Sequence, residues 1–377
     1  TPVLLEYLDR GIDLAVDTNA EAVILELDTP GGGVELMNKI VQKIRNSPVP
    51  VIVYVYPNNA MAGSAGTLIT LAGHYAAMAP ETTIGAASPV GSQGEDIGET
   101  MQSKVKEALR AQVRAIAANR SPEAIALAED TIENAKAVTV QEALDIGLVD
   151  FKASDINDLL SQLDGKEVEI NGEPIILNTK DAQVETMENT FIEEILLLLI
   201  NPNLVFILLT LGVQGILIEI SNPGGWVAGL LGVVCLLLAS YGLGVLPVNW
   251  FGLLFFLISF VLFLMEIKAP THGALATAGT ISFVVGALVL FNSSRLPGFP
   301  KLDLYVVIIV SAMFAAASAT VVMFALRAQK KPVAIGTEAL PGKLGWAASD
   351  ISEEGLVKIN GELWQAMLAD DTPEIRN

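Results

Sequence analysis

The sequence predicts an α/β domain built on a parallel sheet, followed by a block of membrane helices and a small β unit. Three observations carry this prediction. Of the 377 residues, 52% are hydrophobic and only 17% charged, which is too apolar for an ordinary soluble protein. The charge is concentrated before residue 194 and after residue 326, leaving a membrane block between two polar parts. The first part alternates β-branched runs with apolar residues at helical spacing, the pattern of βαβ units with right-handed crossovers.

Leu5, Leu8, Ile12, Ala15 and Val16 fall at helical spacing and predict a helix over 6–18. The apolar run 22–27 reads as a strand, closed by Asp28-Thr29-Pro30-Gly31-Gly32-Gly33 and followed by a helix over 34–45. A buried strand flanked by prolines spans 49–56, and a small-residue segment, 60–72, comes after a polar turn. Short strands at 75–78 and 83–86, helices at 100–118 and 122–129, and a helix running into a last strand over 138–150 complete a domain of residues 1–153. Residues 154–193 turn polar, with Asp164-Gly165 and Asn171-Gly172 as hairpin signals, and read as an extension and tether outside the core.

The transmembrane domain is assigned to 194–326. Its apolar runs 226–243, 250–266, 273–291 and 305–326 can each cross roughly 30 Å of hydrocarbon as a helix rising about 1.5 Å per residue. The run 204–218 is shorter and follows Asn201-Pro202-Asn203, so it is a fifth span or an interfacial helix. Arg327, Lys330 and Lys331 follow the last span and put the tail, 327–377, in the cytoplasm; five spans then put the first domain outside. The tail holds a strand-like segment, 344–348, and a hairpin, 356–364, whose Asn360-Gly361 corner suits a type I′ turn. It is too short to bury much core alone and reads as a truncated domain. Thr1-Pro2 opens the chain without Met or leader, and a signal segment and a first strand are expected upstream.

A net charge of −20 argues against nucleic acid, because a phosphate backbone needs a basic footprint. Cys235 lies alone in an apolar run, and His74 and His272 are far apart, so no metal and no cofactor are expected.

The chemistry centres on two neighbouring loops. Gly31-Gly32-Gly33 lies after a strand and before a helix, yet carries neither a Walker Lys-Ser/Thr nor a G-x-G-x-x-G. Its glycines let backbone N–H groups approach a substrate, as an oxyanion hole requires, and Pro30 stiffens the approach. In Ala60-Met61-Ala62-Gly63-Ser64-Ala65-Gly66-Thr67, Ser64 enters a helix among small residues that can expose its Oγ, and the next N–H and the helix dipole can hold an oxyanion. Ser64 needs a base. His74 lies about 15 Å along the same helix by its rise per residue and is better read as structural. A lysine can serve when burial pushes its pKa down. Lys104, with Met101, Ala108, Ala111 and Ala115 along its face, fits an apolar groove; Lys106, beside Glu107 and Arg110, suits a solvated surface.

Leu27-Asp28-Thr29-Pro30-Gly31-Gly32, residues 61–67, Ile84-Gly85-Ala86-Ala87 and Pro89-Val90 resemble the membrane-bound serine proteases of the long-form NfeD family, within the Clp-protease and signal-peptide-peptidase-A group. Pro223-Gly224-Gly225, Leu246-Pro247-Val248-Asn249, Glu266 with Pro270, and Gly342-Lys343-Leu344-Gly345 extend the resemblance over essentially the whole chain. It implies a Clp-protease/crotonase-like first domain, a Ser–Lys dyad at Ser64 and Lys104, and oxyanion donors at Gly32 and Ala65. It further implies an OB-like C-terminal domain and a stomatin-type membrane protein as substrate or partner. The histidine slot of soluble Clp proteases falls near Ser88.

The function expected is serine endopeptidase action on apolar segments of membrane-associated proteins, in membrane protein quality control, by a homo-oligomer in the cell membrane. Pro30, Gly31 and Gly33 would form the substrate loop. A rival is a non-catalytic scaffold that binds a stomatin- or prohibitin-type partner. A crotonase-type acyl-CoA enzyme, which would not need Ser64, ranks last.

Overall fold

A computed structural model describes residues 2–91, 94–221, 224–268, 271, 273–292, 301–329, 340–351 and 354–369. His272, Pro223, Pro270, Lys330 and Lys331 lie outside the described residues.

The chain opens with α1 (Pro2–Asp17), β1 (Val23–Leu27), α2 (Val34–Arg45) and β2 (Val51–Val55), and continues with β3 (Met61–Gly63), α3 (Ala65–Ala72), β4 (Tyr75–Met78) and β5 (Thr83–Gly85). After α4 (Glu99–Ile116) and α5 (Pro122–Glu133) come β6 (Ala137–Thr139), α6 (Val140–Ile146) and β7 (Phe151–Lys152). Strands β1, β2, β4 and β7 form a parallel sheet in that order. A second sheet, β3-β5-β6, stands beside it and is joined to it by a bridge from Thr29 to Ala62. All five residues of β2 are buried, as its uninterrupted apolar run requires of a central parallel strand. Val51, Val53 and Val55 face a core shared with α1, α2 and α3.

The other face corrects the reading of 154–193 as a tether. Helix α7 (Ile156–Leu163) and the hairpin β8 (Glu167–Ile170) and β9 (Glu173–Ile176) cover it. Leu159, Leu163, Val168, Ile170 and Leu177 pack there with Ile52, Tyr54, Ala77 and Phe151. The segment is polar in composition but not in pattern: in β8 the glutamates point outward and Val168 and Ile170 inward. Beyond it the chain runs without regular structure to α8 (Phe191–Leu198), which Thr190 and Glu193 start with a capping box.

Five apolar helices follow: α9 (Pro202–Ser221), α10 (Val227–Val245), α11 (Trp250–Lys268), α12 (Ala274–Asn292) and α13 (Leu304–Gln329). Helices α9, α10 and α12 are long and apolar enough to cross a membrane, and α11 and α13 are apolar over Trp250–Glu266 and Leu304–Thr320. The 20 residues of α9 exceed its apolar run, so length favours a fifth span over an interfacial helix.

Helices α9–α10 and α11–α12 are two copies of one hairpin, an internal repeat the composition hides. The carboxylate of Glu219, near the end of α9, accepts from the N–H groups of Gly224 (3.3 Å), Trp226 (3.2 Å) and Gly229 (3.4 Å). Glu266 holds the same place in α11 and accepts from Thr271 (3.0 Å), Gly273 (2.9 Å) and Ala276 (3.3 Å). Every member of the second set lies at the same sequence offset from its counterpart. The helix crossings share that offset too. Gly232 packs on the carbonyl of Gly212, and Gly279 on that of Ser259. In each turn a glutamate satisfies N–H groups that a helix start leaves without partners.

Residues 320–377 form a separate compact unit. In it β10 (Trp346–Ala347), β11 (Glu354–Ile359) and β12 (Glu362–Met367) make an antiparallel sheet. Asn360 and Gly361 both take positive φ, 53° and 89°, as a type I′ turn requires.

Candidate active site

Ser64 stands between β3 and α3 with φ 51° and ψ −117°, a conformation costly to any residue with a Cβ and held only where its surroundings over-determine it. The surroundings do so from three sides. The Ser64 N–H donates to Gly85 O at 2.9 Å, and its carbonyl accepts from Thr67 N at 3.0 Å. Thr67 Oγ1 lies 2.9 Å from Ala62 O and 3.0 Å from Gly85 O, and accepts from Gly85 N at 3.1 Å, which ties the start of α3 to β3 and β5. On the third side, Gly63 N donates to Thr29 O and Thr29 N to Met61 O, which fastens the glycine loop to β3.

That loop lies directly over the serine. A Cβ on Gly31 would fall 2.8 Å from Ser64 Cβ and 3.2 Å from its Oγ, and Gly31 has φ +140°. A Cβ on Gly66 would fall 2.6 Å from Thr29 Cγ2, so glycine is what lets α3 approach β1's extension. The Ala65 Cβ lies 4.0 Å from the Cβ position of Gly32. Pro30, Gly31, Gly32, Ser64 and Ala65 are therefore brought together as one cluster, with Gly33 next to it as the N-cap of α2. Among the described residues, the N–H groups of Gly32 and Ala65 and the Ser64 hydroxyl have no hydrogen-bond partner. Two free donors thus flank a half-buried, unengaged hydroxyl.

Lys104 stands differently from the expectation. It is exposed in the second turn of α4, and the groove foreseen around it is open: Met101, Ala108, Ala111 and Ala115 are all exposed. The reason is helix phase. Val105, Leu109, Val113 and Ile116 form the larger apolar stripe and turn inward onto the core, which carries the alanines outward. Lys104 makes no hydrogen bond or ion pair among the described residues. Lys106, expected in solvent, is partly covered; its Nζ donates to Glu133 O at 2.6 Å and lies 3.5 Å from the Glu133 carboxylate.

His74 sits at the far end of α3, where its Nδ1 accepts from Val51 N at 3.0 Å. Burial, and then the charge of Arg45, hold its pKa below the ordinary histidine value. Ser88 donates to Ile132 O. Sequence reasoning missed Thr67, whose signal is a hydroxyl in a buried helix start that must find partners inside.

Residues 1–173 match the family model of the NfeD1b N-terminal domain, and residues 203–325 that of the NfeD integral membrane domain. Membrane-bound protease PH1510 of Pyrococcus horikoshii is 35% identical over 375 residues, covering 97% of this chain and 84% of that protein. Membrane protein NfeD1b of Bacillus subtilis is 30% identical over 279 residues, 71% of this chain and 59% of the relative. Among solved structures, a lysine-to-alanine mutant of the 1510-N membrane-bound stomatin-specific protease in complex with a substrate peptide is 36% identical. It covers 52% of this chain and 90% of its own, with a TM-score of 0.47. A serine-to-alanine mutant of the same protease is 37% identical, covers 50% and 93%, and has a TM-score of 0.46. With a parallel-sheet α/β domain ahead of apolar helices and a small sheet domain, the chain belongs to the NfeD family, as a membrane-bound serine protease.

Proposed function

We propose that the chain is an endopeptidase in which Ser64 is the nucleophile and Lys104 its general base. The observation that supports this most is the strained turn at Ser64 under Gly31, with the free N–H groups of Gly32 and Ala65 on either side. Neutral Lys104 takes the proton of Ser64 Oγ as the oxygen bonds to the scissile carbonyl carbon. The N–H groups of Gly32 and Ala65 hold the resulting oxyanion. The ammonium then returns the proton to the departing amine, and water hydrolyses the acyl-enzyme through the same groups. Lys104 is exposed on α4, and a substrate chain laid across it would supply the cover that α4 itself does not.

The substrates are apolar segments of membrane-associated proteins, with a stomatin-type protein as partner. Support comes from the anchoring of the domain to the membrane block and from the relative whose solved structures are described as stomatin-specific. The peptidase domain faces outside and the tail the cytoplasm.

The full chain in lipid vesicles, unmodified and as Ser64→Ala, Lys104→Ala and Lys106→Ala, tests the dyad on an apolar peptide. Ser64→Ala loses about 10³-fold or more of kcat/KM, Lys104→Ala about 10²- to 10⁴-fold, and Lys106→Ala little. Unchanged cleavage in either of the first two variants sinks the dyad. Failure of a fluorophosphonate to label Ser64 in the unmodified chain would favour the scaffold instead.

A further inference from the structure

Helix α8 presents a face that is left uncovered among the described residues. Phe191, Ile192, Ile195 and Leu198 fall on one side of it and are exposed, Phe191 to 76% and Ile192 to 67%. The opposite side is occupied by Glu193, which is only 5% exposed. Its carboxylate accepts from Arg10 of α1 at 2.7 Å and from Thr190 N at 2.7 Å. Arg10 also donates to Glu188 O, and Tyr7 to Met187 O, so α1 grips the irregular segment leading into α8.

We propose that α8 lies in the surface of the bilayer with this apolar face in lipid, and that the Arg10–Glu193 pair fixes the catalytic domain to it. Lipid is the occupant because of where the structure holds α8. It leads within a few residues into α9, and the carbonyl of Leu199 packs on Gly242 near the end of α10. At that same end of the helical block lie the starts of α9, α11 and α13 and the ends of α10 and α12. Asn203 and Asp303 exchange two hydrogen bonds of 2.9 Å there, and Asn292 holds Leu302 N at 2.9 Å. Trp250 and Tyr305 project outward beside them, 60% and 81% exposed. Asparagines turned to neighbouring helix ends and exposed Trp and Tyr mark a water–lipid boundary. An amphipathic helix at that level buries its apolar face in the headgroup–acyl region. The consequence for catalysis rests on the reading of Ser64 above: a domain held by α8 presents Ser64 at a fixed height, to chains emerging from the membrane.

The test uses the full chain in vesicles of phosphatidylcholine and phosphatidylglycerol, with Cys235→Ser as background. An NBD fluorophore is attached in F191C, in L198C and, as a control in the polar tether, in E185C. Lipids brominated near the headgroup should quench the first two and leave the third unquenched. Unquenched emission in F191C, or disulfide-linked dimers of F191C that exclude lipid, would overturn the placement. A second arm compares one peptide free in solution and tethered to vesicle lipid, cleaved by the unmodified chain, by the double variant F191D/I195D and by R10A. Cleavage of the tethered form should fall about tenfold in both variants while the free form is cut as before. Equal losses on both forms, or no loss on the tethered one, would overturn the fixing role. Absence of any cleavage by the unmodified chain would sink the protease reading alone and leave the quenching result standing.

Discussion

Gly31 is the residue on which Ser64 depends most directly, because the space above the nucleophile exists only if position 31 has no side chain. Gly31→Ala adds a Cβ 2.8 Å from that of Ser64 and strains a backbone at φ +140°, so the loop must lift and carry the Gly32 N–H out of reach. We expect kcat/KM to fall by about 10²-fold, the scale of a misplaced oxyanion donor, with a drop of only a few degrees in the melting temperature. Full activity in Gly31→Ala would show that the loop takes no part. The pair of loops was legible because its information is local: a serine among Gly and Ala at a helix entry, and three glycines one strand before it. The lysine was less so. Alanines suit either face of a helix equally, so the row Ala108, Ala111, Ala115 could not fix which way α4 turns. Val105, Leu109 and Val113 fix it, since their burial outweighs that of a row of methyl groups.

At the scale of elements, the two glutamate turns carry unequal loads. Glu266 is fully buried, and besides the three shared donors its carboxylate accepts from Leu275 N at 3.1 Å and from Thr271 Oγ1 at 2.7 Å. Glu219 is half-buried and makes the three longer bonds alone. Glu266→Ala should therefore lower the melting temperature of the detergent-solubilised chain by several degrees, since buried N–H groups lose their acceptor. Glu219→Ala should lower it less, because water reaches the orphaned groups. Equal shifts would contradict the difference in burial. Neither the hairpin repeat nor the α7–β9 layer was read from sequence. The repeat is carried by a short Glu-Ile-x-x-Pro signature inside runs that hydropathy treats as uniform. In the layer, Leu159, Leu163, Val168 and Ile170 are spaced among Asp, Glu and Lys, so average polarity concealed an inward face that period-2 and period-3.6 counting would have found.

For the whole molecule, the number of spans decides where the chemistry happens. An odd number carries the chain from one side of the membrane to the other, and the proposed reading takes α9 to α13 as five spans, of which α9, α10 and α12 are long and apolar enough to cross a membrane. The ends agree with a through-going bundle. Trp250, Phe251 and Tyr305 are exposed at the end that receives α8, and Trp226, 81% exposed, lies at the other beside the glutamate turns. Aromatic residues at both ends are what two water–lipid boundaries select. With the cationic residues after α13 held in the cytoplasm, the proposed arrangement puts Ser64 outside. It predicts that, in intact cells producing the full chain with Cys235→Ser, a membrane-impermeant maleimide labels E185C directly but labels K358C only after permeabilisation. Labelling of both from outside would make the parity even and leave α9 in the interface rather than across it. Labelling of K358C alone would turn the whole chain over and put the protease among cytoplasmic segments, where a different set of membrane proteins would meet it.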